Sequence, residues 1–383
     1  MSQTRIFVDL PAALVEELLG RTRELSRSVI EQLTSQRAQR ERWRKTLAAE
    51  RLLATLADLP AVPTPTSCGV DGSVTVERLL AHDLLVAGAL AVEGLTPPSE
   101  KRFWPEPRHA LSVELAPHDE ANDTLARALM AASELELAAR APHDVVFLDG
   151  SLTTPLIAFD QALRALAPRK PLSPAARIFL EALPERLEDL ARVLCSADPP
   201  RCWVGVPKYT ARRDLADRLG LDQRLDDRAL LTILLDPGEF TWPIPVTTGR
   251  RPHAFGLDLM PDTLRLRASS SIERVLRAVD RLRVVYVRSH PWLPALRLEL
   301  HESVAVDTGR LASVLQAVHY QSASGKLREP FPLYLADRMV RSLRRATRAL
   351  RHAVREAAAR GYPLPDDVFL SLESYRSESL SSP

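Results

Sequence analysis

The chain has 383 residues, 45% hydrophobic and 26% charged, a globular composition that excludes wholesale disorder. That length suits two or three ordinary domains or one elaborated one. The formal net charge of +2 says little, but the 51 basic residues are 46 Arg and 5 Lys, so the position of each lysine stands out. No apolar run approaches the ~18 residues of a membrane-spanning helix. The opening MSQTRIFVDLP lacks a basic stretch followed by an apolar one, so no secretory signal is expected. Cys68, Cys195 and Cys202 are too scattered for a disulfide framework or a zinc site, and a reducing cytoplasm is the expected location. Glycine is sparse at 14, and neither a GxxxxGK loop ending in Ser or Thr nor a GxGxxG occurs. A self-contained P-loop ATPase or Rossmann enzyme is therefore not expected.

Residues 11 to about 58 read as helix, with Leu14, Leu18, Leu25, Val29 and Leu33 near helical spacing. Its middle is strongly charged, from Arg37 to Lys45, with Trp43 interleaved. A long helix that is polar on most faces packs on a partner or projects from the core. Residues 1–60 are therefore expected as a helical arm contacting DNA or a second copy, closed by the prolines of 60–66. Three β-rich stretches follow, Cys68 to Leu79, Leu84 to Glu93 and His109 to Leu115, as in an antiparallel meander. Asp119 to Arg140 has helical periodicity behind an acidic cap. Asp144 to Asp149 is a continuous apolar run stopping at a turn, which predicts a buried parallel strand. Helix to about Ser196 leads to another strand, Cys202 to Val206. This order matches an α/β, RNase H-like layout, a mixed sheet flanked by helices, expected over 61–383. Further on, strands are predicted at Leu282 to Val287 and Leu296 to Leu300. A long helical run from Tyr334 to Arg360 then precedes a Ser-rich tail.

Two predicted strands carry the same words, Gly69-Val-Asp-Gly-Ser73 and Phe147-Leu-Asp-Gly-Ser151, with the carboxylate at the end or middle of the strand. One such aspartate would be read as a turn cap. Two, on strands where an RNase H-like fold keeps its metal ligands, point to Asp71 and Asp149 as a metal pair. A two-metal nuclease needs hard carboxylate oxygens converging on ions roughly 3.5–4 Å apart, so further acids must come from neighbouring helices. The helix between meander and fourth strand offers Glu134 and Glu136, on nearly opposite faces. Glu136 continues the row Leu125, Leu129, Ala132, and Glu134 continues Met130 and Ala131, so spacing does not choose between them.

GVDGS, then LDGSL behind a Glu-bearing helix, then GVPK, YVR with RLEL, and PFPLYLAD resemble the NurA family from roughly Gly69 to Val340. Its members are manganese-dependent DNA end-processing nucleases with an RNase H-like core. The resemblance implies metal binding by Asp71, Asp149, Glu134 (or Glu136) and Asp337, with Mn²⁺ or Mg²⁺ as cofactor. Asp337 stands where archaeal members often carry His. It also implies that Lys208, after GVP, stabilises the scissile phosphate or leaving oxygen, and that Arg297 and Glu299 match an R-x-E strand, read here as a structural ion pair. A homodimer that threads DNA and works with a HerA-like hexameric translocase is implied too. The implied role is end resection for recombinational repair, with 5′-to-3′ exonuclease and single-strand endonuclease activity. His290 is a candidate general base read as a loop residue.

Arg338, Arg341, Arg345, Arg348, His352 and Arg355 recur at spacings of three and four. This basic stripe suits a DNA backbone, with Arg338, Arg341, Arg345, Arg348 and Lys208 as DNA contacts. The competing readings are a DNA- or translocase-binding scaffold without activity and an actin-like ATP-binding phosphotransferase. The low glycine content speaks against the second, and an acid at each matched ligand position against the first.

Overall fold

The computed structural model describes residues 10–169, 171–196, 201–208, 211–221, 224–246 and 255–373; the Ser-rich tail lies outside them. Helices α1 (Ala12–Gly20) and α2 (Thr22–Ala49) open the chain, followed by β1 (Leu53–Thr55), β2 (Ser67–Arg78), β3 (Asp83–Glu93) and β4 (Arg108–Ala116). Next come α3 (Ala121–Arg140), β5 (Val145–Asp149), α4 (Thr154–Leu166), α5 (Pro174–Cys195) and β6 (Cys202–Val206). Then follow α6 (Asp214–Arg218), α7 (Asp227–Leu234), β7 (Glu239–Thr241), β8 (Ile244–Pro245), α8 (Asp262–Val279), β9 (Leu282–Arg288) and β10 (Leu296–His301). The chain ends in α9 (Glu302–Ala305), α10 (Thr308–Gln321), α11 (Phe331–Val340), α12 (Leu343–Gly361) and α13 (Pro365–Ser371).

Among the described residues one mixed sheet runs β1-β7-β9-β10-β6-β5-β2-β3-β4, with β8 also on β9. The meander β2–β3–β4 is antiparallel, while β2, β5 and β6 are parallel. The predicted RNase H-like layout is present. Apolar runs in β5 and β6 arise because both faces are covered. Cys68, Val70, Val146 and Leu148 pack with α3, α4, α5 and α8, whereas Phe147, Val204 and Val206 pack with α10 and Leu333 of α11. Caps fix several helices: Ser173 accepts from Ala176 N–H at the start of α5, and Asp307 from Gly309 and Arg310 N–H at α10. No helix of the described residues is long and apolar enough to cross a membrane.

Two predicted helices are shorter than the sequence pattern suggests. The first ends at Ala49 rather than near 58, because Arg51 takes a left-handed φ of 53° and Leu52 N–H donates back to Leu47 C=O. Burial of Leu47 and Leu52 holds that turn, and the freed chain becomes β1, paired with β7 at the sheet edge. The last run breaks at Arg341–Ser342 into α11 and α12. The inner face of α12 sets Leu343 and Leu350 against Leu84 and Val86, so the stripe is not one continuous face. Arg351 is buried beside Glu77 (3.7 Å) and Arg355 pairs with Glu373 (3.3 Å). Arg338, Arg341, Arg345 and Arg348 stay exposed.

Candidate metal centre

The parallel pairing of β2 with β5 stops at Val70 and Leu148. Alternation then points Asp71 to the face shared with Gly69 and Asp149 to the face of Phe147, the side covered by α11. Gly69 lets that helix approach: a Cβ there would stand 2.4 Å from Leu333 N. One turn beyond Leu333, α11 presents Asp337. One carboxylate oxygen from each of Asp71, Asp149 and Asp337 lies within 4.8 Å of the others. Asp71 Oδ1 accepts from Gly72 N–H at 2.8 Å, while its buried Oδ2 has no hydrogen-bond partner. Burial first, then the neighbouring Asp149, push the Asp71 carboxyl up to about 8 despite the opposing Lys208. Hard oxygen donors crowded together, one of them buried and unpartnered, fit a divalent cation such as Mn²⁺ or Mg²⁺.

The two glutamates part in space. Glu134 packs onto Gly72, whose missing side chain leaves room for its Oε1. Burial, then Asp71 and Asp149, raise its carboxyl well above the usual carboxylate range. Glu136 points away, 3.3 Å from Arg186 and paired with Arg140 on its own helix. It is not brought to the centre.

Lys208, just past β6, sends its Nζ to 3.1 Å from Asp149 Oδ2 and 3.8 Å from Asp337 Oδ1. It also stands 3.1 Å from Glu329 Oε2. Burial works against its charge, but Asp149, Glu329 and Asp71 outweigh it and hold the ammonium above its ordinary range. Glu329 was not singled out in the sequence; the only signal was an acid preceding Pro330-Phe-Pro. Burial raises its carboxyl, against the pull of Lys208.

Arg297 and Glu299 are a buried ion pair (3.1 Å) as expected, and they also buttress the centre. Glu299 Oε2 accepts from Ser151 Oγ (2.6 Å) and Leu152 N–H (3.1 Å), gripping the turn after Asp149. Arg297 donates to Tyr286 Oη at 2.8 Å. Asp71, Asp149, Asp337, Glu134, Lys208, Ser151, Arg297 and Glu299 line an open cleft of about 580 Å³, together with Met130, Ile157, Thr153, Pro207, Arg212 and Arg341. Arg341 pairs with Asp337 at 3.0 Å, joining the exposed arginines to the cleft. His290 lies elsewhere, stacked between Trp292 and His319.

The sequence pattern of the NurA domain matches residues 65–342. Among curated proteins none matches the chain. Similar solved structures include the NurA nuclease from Sulfolobus solfataricus, at 16% identity over 86% of this chain and 92% of that one, TM-score 0.51. NurA with manganese is similar at 14% identity over 90% of this chain and 99% of that one, TM-score 0.51. A further NurA structure matches at 13% identity over 91% and 98%, TM-score 0.50. At these identities the structures speak for the fold. The domain pattern reaches from β2 through α11 and encloses every acid of the centre, and the chain belongs to the NurA family.

Proposed function

We propose that the chain is a metal-dependent deoxyribonuclease centred on Asp71, Asp149 and Asp337, with Glu134 beside them. The observation that carries this is the convergence of three carboxylates in an open cleft, with Asp71 Oδ2 buried and unpartnered. Membership of the NurA family supports a metal-dependent hydrolase, and a structure of similar fold is NurA with manganese. Mn²⁺ is accordingly the proposed cofactor, with Mg²⁺ able to replace it.

Asp71, Asp149 and Asp337 would hold the cation. When bound, it supplies Lewis acidity toward the attacking water and the scissile phosphate. Glu134, packed onto Gly72 next to Asp71, would orient that water or offer a fourth carboxylate. The Lys208 ammonium at the cleft wall neutralises charge developing on the phosphate. Ser151 and Leu152, gripped by Glu299, keep the turn after Asp149 fixed. Arg338, Arg341, Arg345 and Arg348 hold the DNA backbone leading into the cleft.

The proposal extends to a homodimer working with a HerA-like hexameric translocase in resecting broken DNA ends, by 5′-to-3′ exonuclease and single-strand endonuclease cleavage. Leu14, Leu18, Leu25, Val29 and Leu33, between 42% and 58% exposed along α1 and α2, support the dimer. The lack of a P-loop motif supports an external motor. The test is end-labelled single-stranded and duplex DNA with Mn²⁺, Mg²⁺ or EDTA, alone and with the cognate translocase and ATP. Metal-dependent cleavage is expected; binding without cleavage under every condition contradicts the proposal.

A further inference from the structure

We infer that the Lys208 ammonium competes with the divalent cation for Asp149, and that Glu329 is a positioning residue that holds Lys208 when the cation is present. The inference rests on the metal-centre reading above.

Lys208 Nζ touches two of the three converging carboxylates, at 3.1 Å from Asp149 and 3.8 Å from Asp337. A positive charge so close to the donors opposes a second one, and the opposition is strong in a half-buried site. The same ammonium has a second anchor, Glu329 Oε2 at 3.1 Å, which is outside the converging triad. Both side chains are largely enclosed, with exposures of 23% for Lys208 and 14% for Glu329. Each partner's own backbone is anchored: Arg228 donates to Lys208 C=O, and Pro330, next to Glu329, is the N-cap of α11. Releasing Asp149 to a cation therefore does not free Lys208 into solvent. It stays against Glu329 at the cleft wall, where it faces the phosphate. Glu329 thus acts through Lys208 rather than as a ligand.

The test is Mn²⁺ affinity of the full chain by titration calorimetry, with circular dichroism to confirm folding. Lys208→Met is expected to bind Mn²⁺ about tenfold more tightly and Glu329→Gln about threefold more weakly. In the Lys208→Met background the Glu329→Gln effect should shrink to under about twofold. Lys208→Gln serves if the methionine variant does not fold. Unchanged affinity in Glu329→Gln overturns the inference, as does an undiminished effect in the Lys208→Met background, which would make Glu329 itself a ligand. A wild-type protein that binds no Mn²⁺ overturns the metal-centre reading and this inference with it. Wild-type binding without the dependence on Glu329 overturns this inference alone.

Discussion

Glu134 Oε1 lies so close to the α-carbon of Gly72 that a Cβ there would stand 2.5 Å away. The gap left by Gly72 admits a carboxylate from α3 to the middle of β2, where Asp71 faces α11. Gly72→Ala also meets Met130 Cγ at 2.7 Å, and overpacking of this kind costs about 1–3 kcal/mol. Chemical denaturation should show that loss, and the cleavage rate should fall with it as Glu134 is displaced.

The two neighbouring glutamates should separate cleanly. Glu134→Gln is expected to reduce metal-dependent cleavage by about a hundredfold. Glu136→Gln should leave cleavage intact and shift stability by no more than about 1 kcal/mol, since Arg140 is exposed and the buried Arg186 keeps Glu185 and Asp189 as partners. Side-by-side rates decide; equal losses in both variants would contradict the placement.

Burial, and then Asp149, push the Asp71 carboxyl up to about 8. Proton and cation compete for the carboxylate, so Mn²⁺ affinity should rise as pH approaches 8, with proton release below it. Asp71→Asn should flatten that slope. For stability the sign is opposite. The folded protein holds this proton more tightly than the unfolded chain, whose aspartates titrate at about 3.9. This group therefore makes the metal-free protein lose stability as pH rises from about 4 through about 8. Thermal melts of wild type and Asp71→Asn across that window measure the difference.

Glu299 bridges Arg297 to the turn at Ser151 and Leu152. Glu299→Gln leaves Arg297 without its charged partner in a buried site, an effect worth about 3 kcal/mol. Urea denaturation should show that loss, and cleavage should slow at temperatures where the protein is still folded, because the turn after Asp149 loosens.

The exposed arginines of α11 and α12 should act on affinity rather than chemistry. Each phosphate contact removed by Arg345→Ala or Arg348→Ala should lower the salt slope of DNA binding by about one. Binding isotherms at several salt concentrations check this; an unchanged slope would place the DNA elsewhere.

How much of this was legible in the sequence depended on the kind of signal. Strands β5 and β6 were readable because both faces are buried, and the paired DGS words marked Asp71 and Asp149. Strands β1 and β7 were not, since three residues are too few to show alternation. The break between α11 and α12 carries no Gly or Pro and arises from packing of Leu343 and Leu350 on the sheet. Glu134 and Glu136 were equivalent by periodicity; the missing side chain of Gly72 separates them. Glu329 gains its meaning only from Lys208, a residue remote in sequence.

The central claim is most directly tested by following release of label from single-stranded DNA in Mn²⁺ by wild type and Asp149→Asn, with EDTA as the control. The account predicts cleavage by wild type that EDTA abolishes and that falls by at least about a hundredfold in Asp149→Asn, while DNA binding persists. Cleavage that survives both EDTA and Asp149→Asn would contradict it.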